Sequence, residues 1–223
     1  MARILLLETS TARLSVALAE DGVVVASRTC DEPRQQASLT APLVKETLDS
    51  RGLTMHDCHA VCVSKGPGSY TGLRVGVSTA KGLAFGAGIP LLAMGTLDVL
   101  VAGVREKASF IVPMIDARRM EVYTAVYNAE GERLTPVEAK VVDPSSFAAE
   151  LAAGPVLFVG DGALKCREVL THPNARFLEA WPFAGDMAAA AEKAYNEKRF
   201  EDLAYFEPFY LKDFIATVSK KPW

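Results

Sequence analysis

The sequence predicts an α/β fold of two similar lobes held in tight contact. Three observations carry this. An order of three strands, a helix, a strand and a helix occurs twice, once in each half of the chain. The 223 residues suffice for one large domain or two small lobes. No flexible linker or low-complexity tract separates the halves, and the duplication is one of elements, not of letters.

The elements follow from the spacing of apolar residues. Ile4 to Leu7 is a short apolar run bounded by polar residues, as a buried strand requires. Leu14 to Ala19 is a second strand, Glu20-Asp21-Gly22 a turn, and Val23 to Ser27 a third strand. The period then changes to helical over Ser38 to Arg51, and Gly52 suits a C-terminal cap. Ala60 to Ser64 reads as a strand and Gly66 to Gly72 as a loop. Gly72 to Gly86 reads as a second helix, stopped by Gly86, Gly88 and Pro90. Leu91 to Met94 is short and apolar, and Thr96 is expected to cap a helix through Val101.

Near Arg105 to Lys107 the charge rises and the pattern restarts. This sets the expected lobes at 1–104 and 105–223, with the final helix and tail returning to the first. Phe110 to Ile115, Glu121 to Tyr127 and Val137 to Val142 are three expected strands. Pro144 to Leu151 is an expected helix with Asp143 as its cap. Val156 to Val159 is a strand, Gly160-Asp161-Gly162 a turn, and helices are expected over Ala163 to Leu170 and Gly185 to Glu197.

Half of the residues are apolar, 23% are charged, and the net charge is −3. That balance is ordinary for a globular chain and lacks the basic surface of a free-standing RNA binder. The opening MARILLLETSTARL holds too short an apolar run for a signal peptide, and nothing approaches a bilayer span. A cytoplasmic protein with no membrane contact is expected. In a reducing compartment Cys30, Cys58, Cys62 and Cys166 are most simply free thiols. His56, Cys58, His59 and Cys62 have the residue types of a zinc site but not its spacing, and Cys62 lies in the apolar strand AVCVS. No metal site is expected.

Two segments have the residue types of an anion site. Glu8, Thr9, Ser10 and Thr11 follow the first strand, where a carboxylate and hydroxyls can hold a phosphate through magnesium and water. The same hydroxyls can instead close the hairpin. Lys65 to Arg74, KGPGSYTGLR, follows a strand and opens a helix, whose N-terminal amides favour an anion. It lacks the Gly-Lys-Ser/Thr ending of a P-loop. Behind it, Gly72, Gly76, Thr79, Leu83 and Gly86 share one helix face, and Leu73, Val77, Ala80 and Ala84 another. A helix small or apolar nearly all round implies close cover on more than one side, from its own sheet and from a second chain. Asp116-Ala117-Arg118-Arg119 with Glu121 reads as a surface ion-pair cluster. No HExxH or HxxxH pair and no GxSxG elbow is present.

At these residues the chain resembles the TsaB (YeaZ) family of tRNA threonylcarbamoyladenosine biosynthesis. ILLLETST with LSVAL, RQQASLTAPLVKETL, IDARRMEVYTAVY and PFYLKDF look like family segments, and KGPGSYTGLRVGVSTAKGLAFGAGIPL is the most specific. The resemblance covers nearly the whole chain. It implies an actin-like ATPase (ribonuclease H-like) fold, each lobe a mixed five-stranded sheet with flanking helices. It implies a non-catalytic subunit that binds and activates the larger metal-binding paralogue TsaD together with TsaE. Alone, such proteins pair with themselves through the same N-terminal helices. ATP and magnesium then belong to the complex, with no cofactor required by this chain, and tRNA contact is indirect or weak.

Carried over position by position, the interface is expected on Ser38, Leu39, Pro42 and Leu43 of the first helix. From the second region it is expected on Ser69, Tyr70, Thr71, Leu73, Arg74, Val77 and Lys81. Relatives often carry Asp at the position of Glu8, Phe at Tyr70 and His at Ala37. The competing expectation is an ATPase or phosphotransferase using Glu8, Thr9 and Ser10 for a nucleotide phosphate. A peptidase lacks any recognisable nucleophile or metal site.

Overall fold

Strand β1 (Arg3–Glu8) and strand β2 (Leu14–Glu20) are apolar on both faces because both faces are covered. Strand β3 (Val23–Cys30) mixes exposed and half-buried positions, as an edge strand does. Asp21 and Gly22, at φ 49° and 74°, close the β2–β3 turn. Helix α1 (Gln36–Asp49), strand β4 (Ala60–Gly66), helix α2 (Tyr70–Ala87), strand β5 (Leu91–Gly95) and helix α3 (Thr96–Ala102) follow. The sheet order is β3-β2-β1-β4-β5, antiparallel through the meander and parallel from β1 to β5. The computed structural model describes residues 2–212. The end of the expected tail, including Asp213 and Phe214, lies outside them.

The second half repeats this plan. Strands β6 (Phe110–Asp116), β7 (Glu121–Thr124), β8 (Tyr127–Asn128) and β9 (Glu138–Val141) precede helix α4 (Ala148–Ala153). Strands β10 (Val156–Val159) and β11 (Ala175–Leu178) and helix α5 (Ala188–Asn196) complete it. The order β9-β7-β6-β10-β11 mirrors the first sheet, with a three-strand antiparallel part and a parallel part. The two-residue β8 adds a sixth strand beside β6.

Several expected elements shift. The strand over Glu121 to Tyr127 breaks after Thr124, because β7 pairs with the end of β6 and β8 with its beginning. The helix expected from Pro144 starts at Ala148. Asp143 instead caps a turn, its Oδ1 accepting from the Ser145 amide at 2.9 Å and the Ser145 hydroxyl at 2.7 Å, and Phe147 at φ 60° separates turn from helix. Thr96 is the first residue of α3, with Gly95 at the cap. Over Ala163 to Leu170 the regular helix is a single 3₁₀ turn, Leu164–Cys166. The last helix opens with a 3₁₀ turn, Ala184–Met187.

Two cores sandwich the first sheet. Leu5, Leu7, Val16, Leu18, Val61 and Val63 meet Leu43, Val44, Leu48, Val77, Ala80 and Ala84 of α1 and α2. The opposite face, with Ile4, Leu6, Ala17, Ala19, Cys62 and Leu92, is covered by Ala184, Met187, Ala188, Ala191 and Ala194, from the far end of the chain. The tail then crosses the same lobe. Glu201 N–H donates to the Leu91 carbonyl at 2.9 Å. Leu203 and Phe206 pack on the α1/α2 core. Helix α3 joins the lobes, with Val99 buried against the first sheet and Leu97, Leu100 and Val101 against the second. Tyr127 OH donates to Asp98 Oδ1 of α3 at 2.7 Å.

Helix α2 is seated by its glycines. A Cβ on Gly72 would lie deep inside contact distance of the Thr9 carbonyl, and one on Gly76 deep inside that of Thr9 Oγ1. Gly68 presses in the same way on the Ser10 carbonyl. Thr9 Oγ1 donates to the Gly72 carbonyl at 2.8 Å, and Ser69 N–H to the Ser10 carbonyl at 2.7 Å. By contrast, Gly82 and Gly86 face open space. Gly72→Ala is therefore expected to cost about 2–3 kcal/mol by forcing helix and turn apart. Gly82→Ala is expected to stabilise by up to about 1 kcal/mol through helix propensity. Urea unfolding of the two variants checks this, and equal effects of the two would refute the seat.

Candidate partner-binding face

The seating of α2 decides which of its faces is free. Leu73, Val77, Ala80 and Ala84 point into the lobe, at 0–3% exposure. One half-turn away, Thr71, Arg74, Ser78, Gly82 and Phe85 form an exposed stripe at three- and four-residue steps. Phe85 is 79% exposed, the one large apolar side chain of the stripe. Helix α1 lies alongside α2 and exposes Ala37, Ser38, Ala41, Pro42 and Lys45. Pro42 has no N–H, so the helical bond to the Ser38 carbonyl four residues back is missing on that exposed side.

The expected interface residues divide accordingly. Ser38, Pro42, Ser69, Thr71 and Arg74 are exposed, and Leu39 and Tyr70 are half-buried. Leu43, Leu73 and Val77 are core residues of this chain, at 8%, 1% and 3% exposure, and do not present their side chains to a second chain. Lys81 is occupied: its Nζ donates to the Ala204 and Phe206 carbonyls at 3.1 and 2.9 Å and holds the tail. Phe85, Ser78 and Gly82 belong to the stripe and were absent from the expected set. The signal for them is the helical period, once Leu73 and Val77 are taken as the inward side. Ser69 caps α2, its Oγ accepting the Gly72 N–H at 3.2 Å. Arg74 lies over the Tyr70 ring, 5.4 Å from its centroid.

The expected phosphate residues turn inward. Glu8, Thr9 and Ser10 are each 0% exposed. Glu8 Oε1 accepts from the Ser10 amide at 2.6 Å and the Ser10 hydroxyl at 2.5 Å. Thr9 spends its hydroxyl on α2, as described. Burial pushes the Glu8 carboxyl up to about 7, against the opposing pull of the Ser10 hydrogen bonds. The Ser64 hydroxyl on β4 and the Thr9 amide add to that opposing pull. Thr9 braces the β1–β2 turn against α2, Glu8 is spent on Ser10, and Ser10 lines the cleft between the lobes with its hydroxyl donated to Glu8.

Between the lobes lies an open cleft of about 800 Å³. Its walls include the N-terminus of α2, Arg34, Asp116, Arg118, Asp161 and Lys212. The Asp116 cluster is partly paired: Lys165 Nζ lies 2.5 Å from Asp116 Oδ1 and donates to the Glu121 carbonyl at 2.7 Å. Asp161 accepts the Asp116 N–H at 2.9 Å, and burial raises its carboxyl above the ordinary range. Among the described residues no group of three or more His, Cys, Asp or Glu is placed to hold a metal. His59 Nδ1 accepts the Arg3 N–H at 3.1 Å, while Cys58 and Cys62 are buried. No helix among the described residues is long and apolar enough to cross a membrane.

Known proteins share this architecture and sequence. Residues 32–220 match the family described as TsaD: tRNA N6-adenosine threonylcarbamoyltransferase. The tRNA threonylcarbamoyladenosine biosynthesis protein TsaB of Escherichia coli (strain K12) is 31% identical over 96% of this chain and 96% of its own length. The structure of YeaZ from Pseudomonas aeruginosa superposes with a TM-score of 0.80 at 30% identity, covering 95% of this chain and all of that one. The activator of 2-hydroxyisocaproyl-CoA dehydratase from Clostridium difficile shares the fold alone, with a TM-score of 0.51 at 12% identity over 88% of this chain and 97% of that one. The fold is the actin-like ATPase fold.

Glu8 makes stability depend on pH. The unfolded chain releases this proton near the ordinary 4.5 and the folded chain near 7. Its contribution is therefore full below pH 4.5, falls as pH rises toward 7, and is level above. The total loss is up to about 3 kcal/mol. Glu8→Gln, neutral throughout, is expected to be more stable than the wild type at pH 8, with the gap closing at pH 4.5. Thermal melts across that range measure the gap, and a constant gap would refute the buried-acid assignment.

Proposed function

The chain belongs to the TsaB (YeaZ) family, and from that premise we propose that it serves as a non-catalytic subunit in tRNA threonylcarbamoyladenosine biosynthesis. In this reading it docks on a TsaD-type transferase and, together with a TsaE-type ATPase, supports transfer of threonylcarbamoyl to the adenosine beside the anticodon. The docking surface is the pair α1 and α2. Without that partner, a second copy of the chain takes the same face. The protein works in the cytoplasm, and any nucleotide belongs to the assembled complex.

The observation that carries this is the exposed stripe of α2. Thr71, Ser78 and Gly82 are small enough for another helix to approach closely, and Phe85 stands clear as an apolar anchor. Arg74 adds a charge at the rim. The competing ATPase reading draws no support from Glu8, Thr9 and Ser10, whose side chains are spent on holding the β1–β2 turn.

Transfer reconstituted from TsaD, TsaE and substrate tRNA is expected to need this chain. Phe85→Glu and Gly82→Arg are expected to lower transfer by at least tenfold, equivalent to about 1.4 kcal/mol of docking energy. Both substitutions lie on exposed positions, so melting temperature should not fall, and Gly82→Arg should share the helix-propensity gain of Gly82→Ala. Undiminished transfer with both variants would remove α2 as the docking surface. Undiminished transfer without the chain would remove the subunit role itself.

A further inference from the structure

Four residues at the end of the described chain fasten one lobe to the other at the cleft mouth. The Phe209 N–H donates to the Lys65 carbonyl on β4 at 2.7 Å. Its own carbonyl lies against Gly66, where φ is +111° and a Cβ would sit 2.6 Å from that oxygen. Only glycine suits both the angle and the approach. One residue on, the Tyr210 ring rests against Tyr70 in the first turn of α2, with 4.8 Å between centroids. Two further on, Lys212 Nζ pairs with the carboxylate of Glu121 on β7, in the other sheet. The strip from Phe209 to Lys212 lines the cleft between these attachments.

The two grips differ in strength. On the first lobe there is a backbone hydrogen bond, a glycine-dependent fit and a ring contact. On the second, the side-chain attachment is an ion pair with 40% and 22% of its side chains exposed. Such a pair is weak and is screened by salt. Glu121 is meanwhile part of a held segment, since its carbonyl accepts from Lys165. A strap fixed at one end and caught at the other, among the described residues, by a half-exposed ion pair can let go without unfolding either lobe.

We propose that residues 209–212 are a latch that sets how far the interlobe cleft opens. It is closed while Lys212 holds Glu121 and released when that pair breaks. The latch also touches the α2 face, because Arg74 lies over the Tyr70 ring on which Tyr210 rests. A partner that engages Arg74 shifts the seat of Tyr210 and loosens the strap. This coupling rests on the docking role of α2; the latch itself does not.

The isolated chain tests the latch without any partner. Nitroxide labels at Ser27→Cys and Ala149→Cys, both exposed and one in each lobe, report the interlobe distance by pulsed electron resonance. Cys30→Ser removes the partly exposed native thiol, and the other three are buried. Spin dilution with unlabelled protein suppresses signals between copies. The chain with native Lys212 is expected to give a narrow distribution at low salt. Lys212→Glu should broaden it and shift it outward by several ångströms. Adding Glu121→Lys should restore the narrow form, which a merely structural role for Lys212 would not do. Salt near 1 M, where the Debye length is about 3 Å, should reproduce the open distribution in the native-charge protein. If Lys212→Glu fails to fold, the salt titration alone decides. Superimposable distributions for Lys212→Glu and the native charge, or no change with salt, overturn the latch. Transfer undiminished by Phe85→Glu and Gly82→Arg would overturn the reading of α2 and leave the latch standing.

Discussion

The close approach of α2 to the β1–β2 turn is the constraint on which the rest of this structure depends. The Thr9 carbonyl and hydroxyl occupy the space that side chains on Gly72 and Gly76 would need. That contact fixes the rotation of the helix about its own axis. With Leu73 and Val77 turned into the lobe, the side bearing Arg74 and Phe85 has no choice but to face outward. The acidic side chain at position 8 serves the same contact from below, by ordering Ser10 through two hydrogen bonds. A loop that has the residue types of a phosphate cradle is here a mechanical seat.

The lobes are less separate than their duplicated topology suggests. Each sheet repeats the same strand plan, yet α3 divides its apolar residues between both. The covering helix of the first sheet's second face comes from residues after the second sheet is complete. The cleft between the lobes is bounded by the N-terminus of α2 on one side and by the tail on another. Polar contacts across the joint, such as Tyr127 to Asp98, add direction to what is mainly an apolar hinge.

Much of this was legible in the sequence because the apolar periods are clean. The strands of the first half fall within one to three residues of their expected ends, and the duplicated order is visible without any repeated letters. The actin-like fold and the family come from the glycine-rich segment and its flanks. What stayed hidden depends on distance in the chain. Strand β11, with the sequence ARFL, is too short and too charged at Arg176 to announce itself, and exists because β10 offers it an edge. Asp143 has the right chemistry for a helix cap, but Ser145 and Ser146 capture it first. The outward side of α2 was not readable, because glycines occupy both its seat and its exposed stripe. Only the position of Thr9 tells Gly72 and Gly76 apart from Gly82. Lys81 looks like an interface charge in sequence, and its carbonyl partners lie more than a hundred residues away.

The cover supplied by Ala184 to Ala194 has a consequence for how the protein is made. The first sheet leaves the ribosome early, but its face with Ile4, Leu6 and Leu92 has only Val99 of α3 as cover until nearly the whole polypeptide has emerged. Synthesis therefore runs opposite to the usual sequence in which an N-terminal unit closes its core before the next begins. A nascent or prematurely ended chain displays an apolar sheet face of the kind that seeks other apolar surfaces. The small alanines of α5 act as a closing piece delivered last, and the N-terminal half is a fragment awaiting its end, not a unit that folding can finish alone.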